Sequence, residues 1–310
     1  MGGSETTLPG GPRDLIGYGP HPPRVQWPGA ARVIVSLVLN YEEGAEYSLP
    51  AGDHRNEGFT EYDAAPLDPA YRDLAAESVY EYGSRAGVWR LLRLFAANDL
   101  KVTCFACAVA LERNPVVAEW LTRAGHEVCS HGWRWSENWT MTREQEKAEM
   151  AAAIESIERL TGQRPLGWYS RYGPSVHTRE LLVEAGGFVY DSDAYNDDLP
   201  YFVAVAGQRH LVVPYTKTYN DTRFVLAQGF SRPSDFFDTC RQGLDYLWDE
   251  GQTHPKMMSI GLHARLMGQA ARAAALRDFI AYAARKPGVK FMRRVDIARW
   301  WLEHSAAFAA

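Results

Sequence analysis

Apolar positions along the chain fall into short runs of two different periods. Ala31–Leu39 (ARVIVSLVL) is a nearly unbroken β-branched run, the pattern of a strand buried on both faces. Val88–Ala97 (VWRLLRLFAA) instead places apolar residues at helical spacing with arginines between them, which predicts an amphipathic helix. Val102–Val109 (VTCFACAV) is again strand-like, and Asn114-Pro115 opens a helix over Pro115–Ala124 that stops at Gly125. Glu127–Ser130 is a short strand. Thr142–Leu160 is the longest predicted helix, with Thr142 as cap, Gln145 three residues on and Gly162 beyond its end. Strands follow at Pro165–Tyr169 and Phe188–Tyr190, around a helix at Thr178–Ala185. Then come a helix at Ser234–Glu250 capped by Ser234, a strand at Lys256–Leu262 ending at His263, and a helix at Ala270–Arg285. A last strand at Val289–Met292 and a helix at Arg294–His304 close the pattern. Strands alternating with helices predict an α/β fold, a parallel sheet with helices outside it. Six or seven strands are identifiable, short of the eight in a regular barrel.

Three stretches break the alternation. Residues 1–29 are Gly/Pro-rich and predict an irregular arm anchored by Tyr18 and Trp27. Residues 45–78 are polar, with Pro50, Pro66 and Pro69, and residues 199–230 form a β-rich insertion around His210–Pro214. The expected organisation is therefore an arm (1–29) followed by one barrel domain (30–304) with two excursions. Excursions of this length usually serve function or contact, which points to a homo-oligomer, with a tetramer among its forms.

Composition narrows the class. The chain has 310 residues, 46% hydrophobic and 23% charged, with a net charge of −5. It has no long basic run, which argues against nucleic acid or an anionic membrane as partner. No apolar stretch of the length of a transmembrane helix and no apolar leader occur, so a cytoplasmic protein is expected. Of the four cysteines, Cys104 and Cys107 form a C-x-x-C inside a predicted buried strand. That placement favours structural thiols over a redox or zinc motif.

Chemistry concentrates where predicted strands end. Glu42/Glu43, His131, Arg171, Asp191/Asp193 and His263 each follow a strand. In a parallel barrel all strand carboxyl ends point to one mouth, so these residues should converge. Trp133, Trp135 and Trp139 crowd the segment after His131.

The ordered series NYEEG, HEVCSHGWRW, GWYSRYGP, YDSDAY and IGLHARL resembles the five motifs of the polysaccharide deacetylases, over roughly Arg32–Trp300. The resemblance implies a distorted, incomplete (β/α) barrel, here of about seven parallel strands, and hydrolysis of amide bonds with one divalent metal. The chain departs from that pattern at the metal. Glu42 and Glu43 stand for a pair of aspartates, and Trp135 stands where the family's second histidine would be. An indole N–H donates and cannot ligate, and a catalytic zinc usually takes three protein ligands. Glu43 and His131 would supply only two.

The motifs N-Y-E-E-G, S-H-G-W-R-W and G-L-H-A-R-L, with residues 13–19 and Tyr80–Trp89, are similar to those of the metal-independent allantoinase branch of this superfamily. That resemblance implies a small cyclic ureide or imide as substrate, most simply allantoin opened to allantoate in urate breakdown, and no cofactor. Under it Glu42 is the general base, and His263 donates the proton to the leaving nitrogen or polarises the oxyanion. Arg171 orients the base or binds a carbonyl, and Asp193 or Asp191 sets the tautomer of His263. Glu43, His131, Trp135 and Tyr169, with the Glu81–Arg85 pair and the loop holding Tyr215, form the expected substrate-binding set. Glu81 and Arg85 also fit a plain i,i+4 surface pair. Two other readings stay open: a metal-dependent deacetylase with zinc held weakly by Glu43 and His131, and a non-catalytic binding protein.

Overall fold

The computed structural model describes residues 10–61, 67–68 and 70–308. The first nine residues of the expected arm and parts of the 45–78 excursion (62–66 and 69) lie outside them.

The longest apolar run becomes the central strand. β1 (Val33–Tyr41) is buried at every position because it has neighbours on both edges and packing on both faces. Along one edge it pairs with β8 (Lys256–His263) through eight registered residues. Along the other it pairs first with β9 (Val289–Phe291) and then with β2 (Thr103–Ala106). Beyond β2 the sheet continues through β3 (Glu127–Ser130), β4 (Gly167–Trp168), β5 (Tyr190–Asp191) and β7 (Gln208–Val212) to β6 (Tyr201–Val205). All these pairings are parallel except β6 with β7. Helices cover the outside: α1 (Leu74–Tyr82), α2 (Val88–Ala97), α3 (Ala108–Arg113), α4 (Pro115–Arg123), α5 (Arg143–Thr161) and α6 (Thr178–Ala185), then α7 (Pro233–Glu250), α8 (Ala264–Met267), α9 (Ala270–Ala284) and α10 (Arg294–His304).

The result is a curled, incomplete barrel, as the family resemblance implied. Its sheet is mixed, with nine strands among the described residues. The additional strands come from the 199–230 insertion, whose first half is the β6–β7 hairpin. Between β7 and β8 the wall is closed by irregular chain. Tyr215 N donates to Ala194 O, Gly261 N donates to Tyr219 O, and Asn220 makes a single bridge to Gly261. Tyr215 then reaches across the seam, its hydroxyl accepting from Nδ2 of Asn40 (3.3 Å) and of Asn220 (3.1 Å).

Local signals explain most boundaries. Thr142 and Gln145 form the expected capping box, and Gly162 ends α5 at φ 70°. Helix α7 begins earlier than its sequence suggested: Pro233 is its first residue, Arg232 is the N-cap, and Ser234 lies inside. The excursion is not irregular to its end, since α1 begins at Leu74 and takes in its last five residues. From there the chain continues into α2 through a π-type turn, Gly83–Gly87. That turn packs very tightly. A Cβ on Gly83 would lie 2.3 Å from Glu43 Oε1, and one on Gly87 would lie 2.0 Å from Ala264 O. All four cysteines are buried and free. Among the described residues no helix is long and apolar enough to cross a membrane.

Candidate active site

Three strand ends meet around one carboxylate. Glu42 follows β1, His131 follows β3 and His263 ends β8; each is nearly inaccessible to solvent. Glu42 Oε1 lies 3.2 Å from His131 Nε2 and 3.4 Å from His263 Nε2. Its other oxygen accepts from Arg265 Nη1 at 2.7 Å. Burial alone would raise the Glu42 pKa, but His263 and Arg265, with hydrogen bonds from both imidazoles, outweigh it and hold the carboxyl well below the usual range. Glu42 therefore stays ionised.

Glu43 behaves oppositely. Its oxygens accept from the backbone N–H groups of Glu42 and Arg265, both at 3.0 Å. Burial, opposed by Arg265 and reinforced by the charge of Glu42, pushes its pKa up to about 7. The adjacent pair does split, as two close carboxylates should, but the raised member is Glu43 and not the proposed base.

Each imidazole is fixed from behind. His131 Nδ1 donates to the carbonyl of Tyr169 at 2.8 Å, which leaves Nε2 facing Glu42. His263 Nδ1 donates to Asp221 Oδ1 at 2.6 Å. Burial lowers the His263 pKa, but Glu42 and Asp221 more than compensate and raise it to about 9. His263 is thus an imidazolium at neutral pH with Nε2–H directed at Glu42. Asp221 also accepts from the backbone N–H groups of His263 (2.6 Å) and Met267 (3.1 Å), so it anchors the whole β8–α8 corner.

This corrects the expected partner of His263. Neither Asp191 nor Asp193 bonds to it. Asp191 holds Arg179 at 2.9 Å and His210 at 2.8 Å. Asp193 accepts from the Ser170 N–H (2.7 Å) and hydroxyl (2.9 Å), which pins the third-motif loop to the strand end. Arg171 likewise does not touch Glu42. It pairs with Glu57 at 2.9 Å and stacks on the Trp135 ring at 3.7 Å. Trp135 meets two guanidiniums, since Arg265 approaches the same ring at 5.0 Å. Glu81 and Arg85 pair with each other at 3.6 Å on an exposed surface. With Arg72 and Arg113 they line a cavity of about 300 Å³ that reaches Glu43 but neither imidazole.

Arg265 is the residue that strand-end reasoning missed. The short helix α8 turns it back under Glu42, fully buried, with its guanidinium 4.4 Å from the Tyr80 ring. Its Nε and Nη2 have no hydrogen-bond partner among the described residues. The HARL sequence contained it, but nothing in its spacing marked which way it faced. Tyr169 and Tyr215 do border the cluster. Tyr169 lies 5.0 Å from the His131 ring, stacks on Phe105 at 4.6 Å and meets Tyr215 edge-on at 5.0 Å. Arg294, buried beneath, donates to Ser259 (2.8 Å), to Pro214 O (2.7 Å) and to Val213 O, and so fixes the segment that carries Tyr215.

The donor set does not fit a divalent metal. Arg265 already supplies a positive charge to Glu42 Oε2, both Glu43 oxygens are engaged with backbone donors, and Trp135 has no lone pair to offer. Among the described residues no group of three or more His, Cys, Asp or Glu side chains could hold a metal ion.

An incomplete α/β barrel with an acid–base cluster at its strand carboxyl ends defines a hydrolase of the deacetylase type. The chain belongs to the polysaccharide deacetylase family. Residues 75–188 match the family model described as Polysaccharide deacetylase. A Schizosaccharomyces pombe protein, "Putative polysaccharide deacetylase", is 37% identical over 309 residues, 93% of this chain and 96% of its own. Two crystal structures, of a "probable Polysaccharide deacetylase" from Pseudomonas aeruginosa PAO1 and of Puue allantoinase, are each 50% identical with TM-scores of 0.90. Both alignments cover 96% of this chain and 99% of the other.

Proposed function

We propose that this protein hydrolyses the ring amide of a small cyclic ureide, with allantoin opened to allantoate, and that it does so without a metal. The observation that carries this reading is Glu42, held by a buried arginine on one oxygen and facing two imidazoles with the other. The 50% identity to an allantoinase over nearly the full chain supports the choice of substrate. The same reading carries a cytoplasmic, homo-oligomeric enzyme of urate breakdown.

In the proposed reaction, water and the ring carbonyl enter between Glu42 Oε1 and the two imidazoles. Separated from those donors, Glu42 loses part of what holds its pKa down and becomes a competent base, while Arg265 keeps Oε2 in place. Glu42 takes a proton from water as the oxygen attacks the ring carbonyl carbon. The developing oxyanion is met by the Nε2–H of His263. As the C–N bond breaks, His263 gives its Nε2 proton to the leaving nitrogen. The new carboxyl group ionises, so one proton leaves per turnover, and the Glu42 proton restores His263. Asp221 acts through His263 by holding its Nδ1–H. Arg171 and Trp135 wall the site, and Asp193 positions the loop that carries Arg171.

Measuring ring opening of allantoin by the purified protein, with and without a chelator and alongside elemental analysis, tests the proposal. Activity that survives chelation and is lost in Glu42→Gln, with folding intact, is expected. Activity that requires stoichiometric zinc would overturn it.

A further inference from the structure

Above the His131 side of the cluster stands a cation that the reaction scheme does not use. Lys217 lies on the irregular segment that closes the barrel between β7 and β8. The residue as a whole is exposed, yet its ammonium turns inward. Nζ donates to the Tyr169 hydroxyl at 3.2 Å and lies 5.9, 5.6 and 5.9 Å from the rings of Tyr169, Tyr195 and Tyr215. The Tyr169 hydroxyl is also bonded to that of Tyr195 at 2.7 Å.

These tyrosines span the change from interior to solvent. Tyr169 and Tyr215 are buried, whereas Tyr195 is 42% exposed. The Tyr169 backbone carbonyl holds His131, and its ring faces that imidazole. Lys217 therefore stands one tyrosine ring outward from His131, on the side where Tyr195 reaches solvent. It lies within the fields of Glu42, Asp221 and Asp193. Cation–π contacts at partly exposed sites are weak, and a single phenol oxygen leaves an ammonium with donors to spare.

We propose that Lys217 is a specificity-determining residue: its ammonium binds an oxygen carried outside the substrate's ring, such as a ureido carbonyl, while the ring amide lies at Glu42. The proposal rests on the cyclic-ureide reading and refines it, since it separates allantoin, which bears a ureido group, from bare hydantoin, which does not. The cation selects by an added contact, and its loss should therefore be felt by one substrate more than the other.

The test compares kcat and KM of wild type, Lys217→Met and Lys217→Arg on allantoin and hydantoin. In Lys217→Met the ratio of kcat/KM for allantoin to that for hydantoin should fall roughly ten- to a hundredfold, mainly through KM for allantoin. Lys217→Arg should recover part of the loss. Equal losses on both substrates, or no loss on either, would overturn the role of Lys217 while leaving the ureide reading in place. A wild-type protein that opens neither ring would overturn both.

Discussion

Replacing Arg265 with methionine isolates the charge that holds the site together. The guanidinium is fully buried, donates to Glu42 at 2.7 Å and lies 3.7 Å from Glu43. Removing one partner of a buried pair typically costs about 3–5 kcal/mol, because the remaining charge has neither water nor counterion. Here His263 lies 3.4 Å from the same carboxylate and is itself cationic, so part of the deficit is offset and the loss should be near ~3 kcal/mol. In a chain of this size that lowers Tm by roughly 5 °C. Denaturant unfolding and calorimetry on wild type, Arg265→Met, Glu42→Gln and the double variant form a cycle. If the cost comes from an unpaired carboxylate, the double variant should be more stable than Arg265→Met. An Arg265→Met variant that unfolds within about 1 kcal/mol of wild type, or a double variant that recovers nothing, would refute an unpaired carboxylate as the source of the cost.

Three further outcomes follow from the geometry. Asp221→Asn removes one of the two charges that raise His263, so the alkaline limb of kcat/KM against pH should move to lower pH, with activity down roughly a hundred- to ten-thousandfold; an unmoved limb would reject His263 as donor. The His263 pKa is about 9 in the folded chain against about 6.5 unfolded. Its stabilisation is therefore fully present below pH 6.5 and lost as pH rises through 9. The size is on the order of 3 kcal/mol, and the slope measured in that window should flatten in Glu42→Gln. Gly87→Ala places a Cβ 2.0 Å from the Ala264 carbonyl oxygen, so it should cost at least about 1–3 kcal/mol in urea unfolding, more than an alanine at exposed Gly58.

Much of this arrangement could be found from the sequence because strand ends are marked twice, by where an apolar run stops and by which polar residue follows. That logic placed Glu42, His131 and His263 together. It failed for the groups that act on them from the side. Asp221 sits in the 3-10 turn Asp221–Phe224, after the hairpin, whereas strand ends in the sequence point to Asp191 and Asp193 as the histidine partner. Arg265 was hidden by a helix of four residues, too short for periodicity to reveal its inward face. Arg171 and the Glu81–Arg85 pair failed differently. Motif membership located them in the chain but carried no information on direction, and the first points to Glu57 while the second points to solvent.

The turn at Gly83–Gly87 separates two helices that would otherwise run as one from Leu74 to Ala97. A π-type turn inserts one residue into helical phase, and one residue is about 100° of rotation at 3.6 residues per turn. Up to the start of the turn, the inward face carries Tyr80 beneath Arg265 and Gly83 against Glu43. After it, the inward face carries Val88, Leu91, Leu92 and Phe95 into the core. The extra residue works as a phase adapter between two lining tasks with different angular demands. A single-residue deletion there would leave every side chain of α2 present and helical, yet turn either the aromatic support of the arginine or the apolar stripe away from its target.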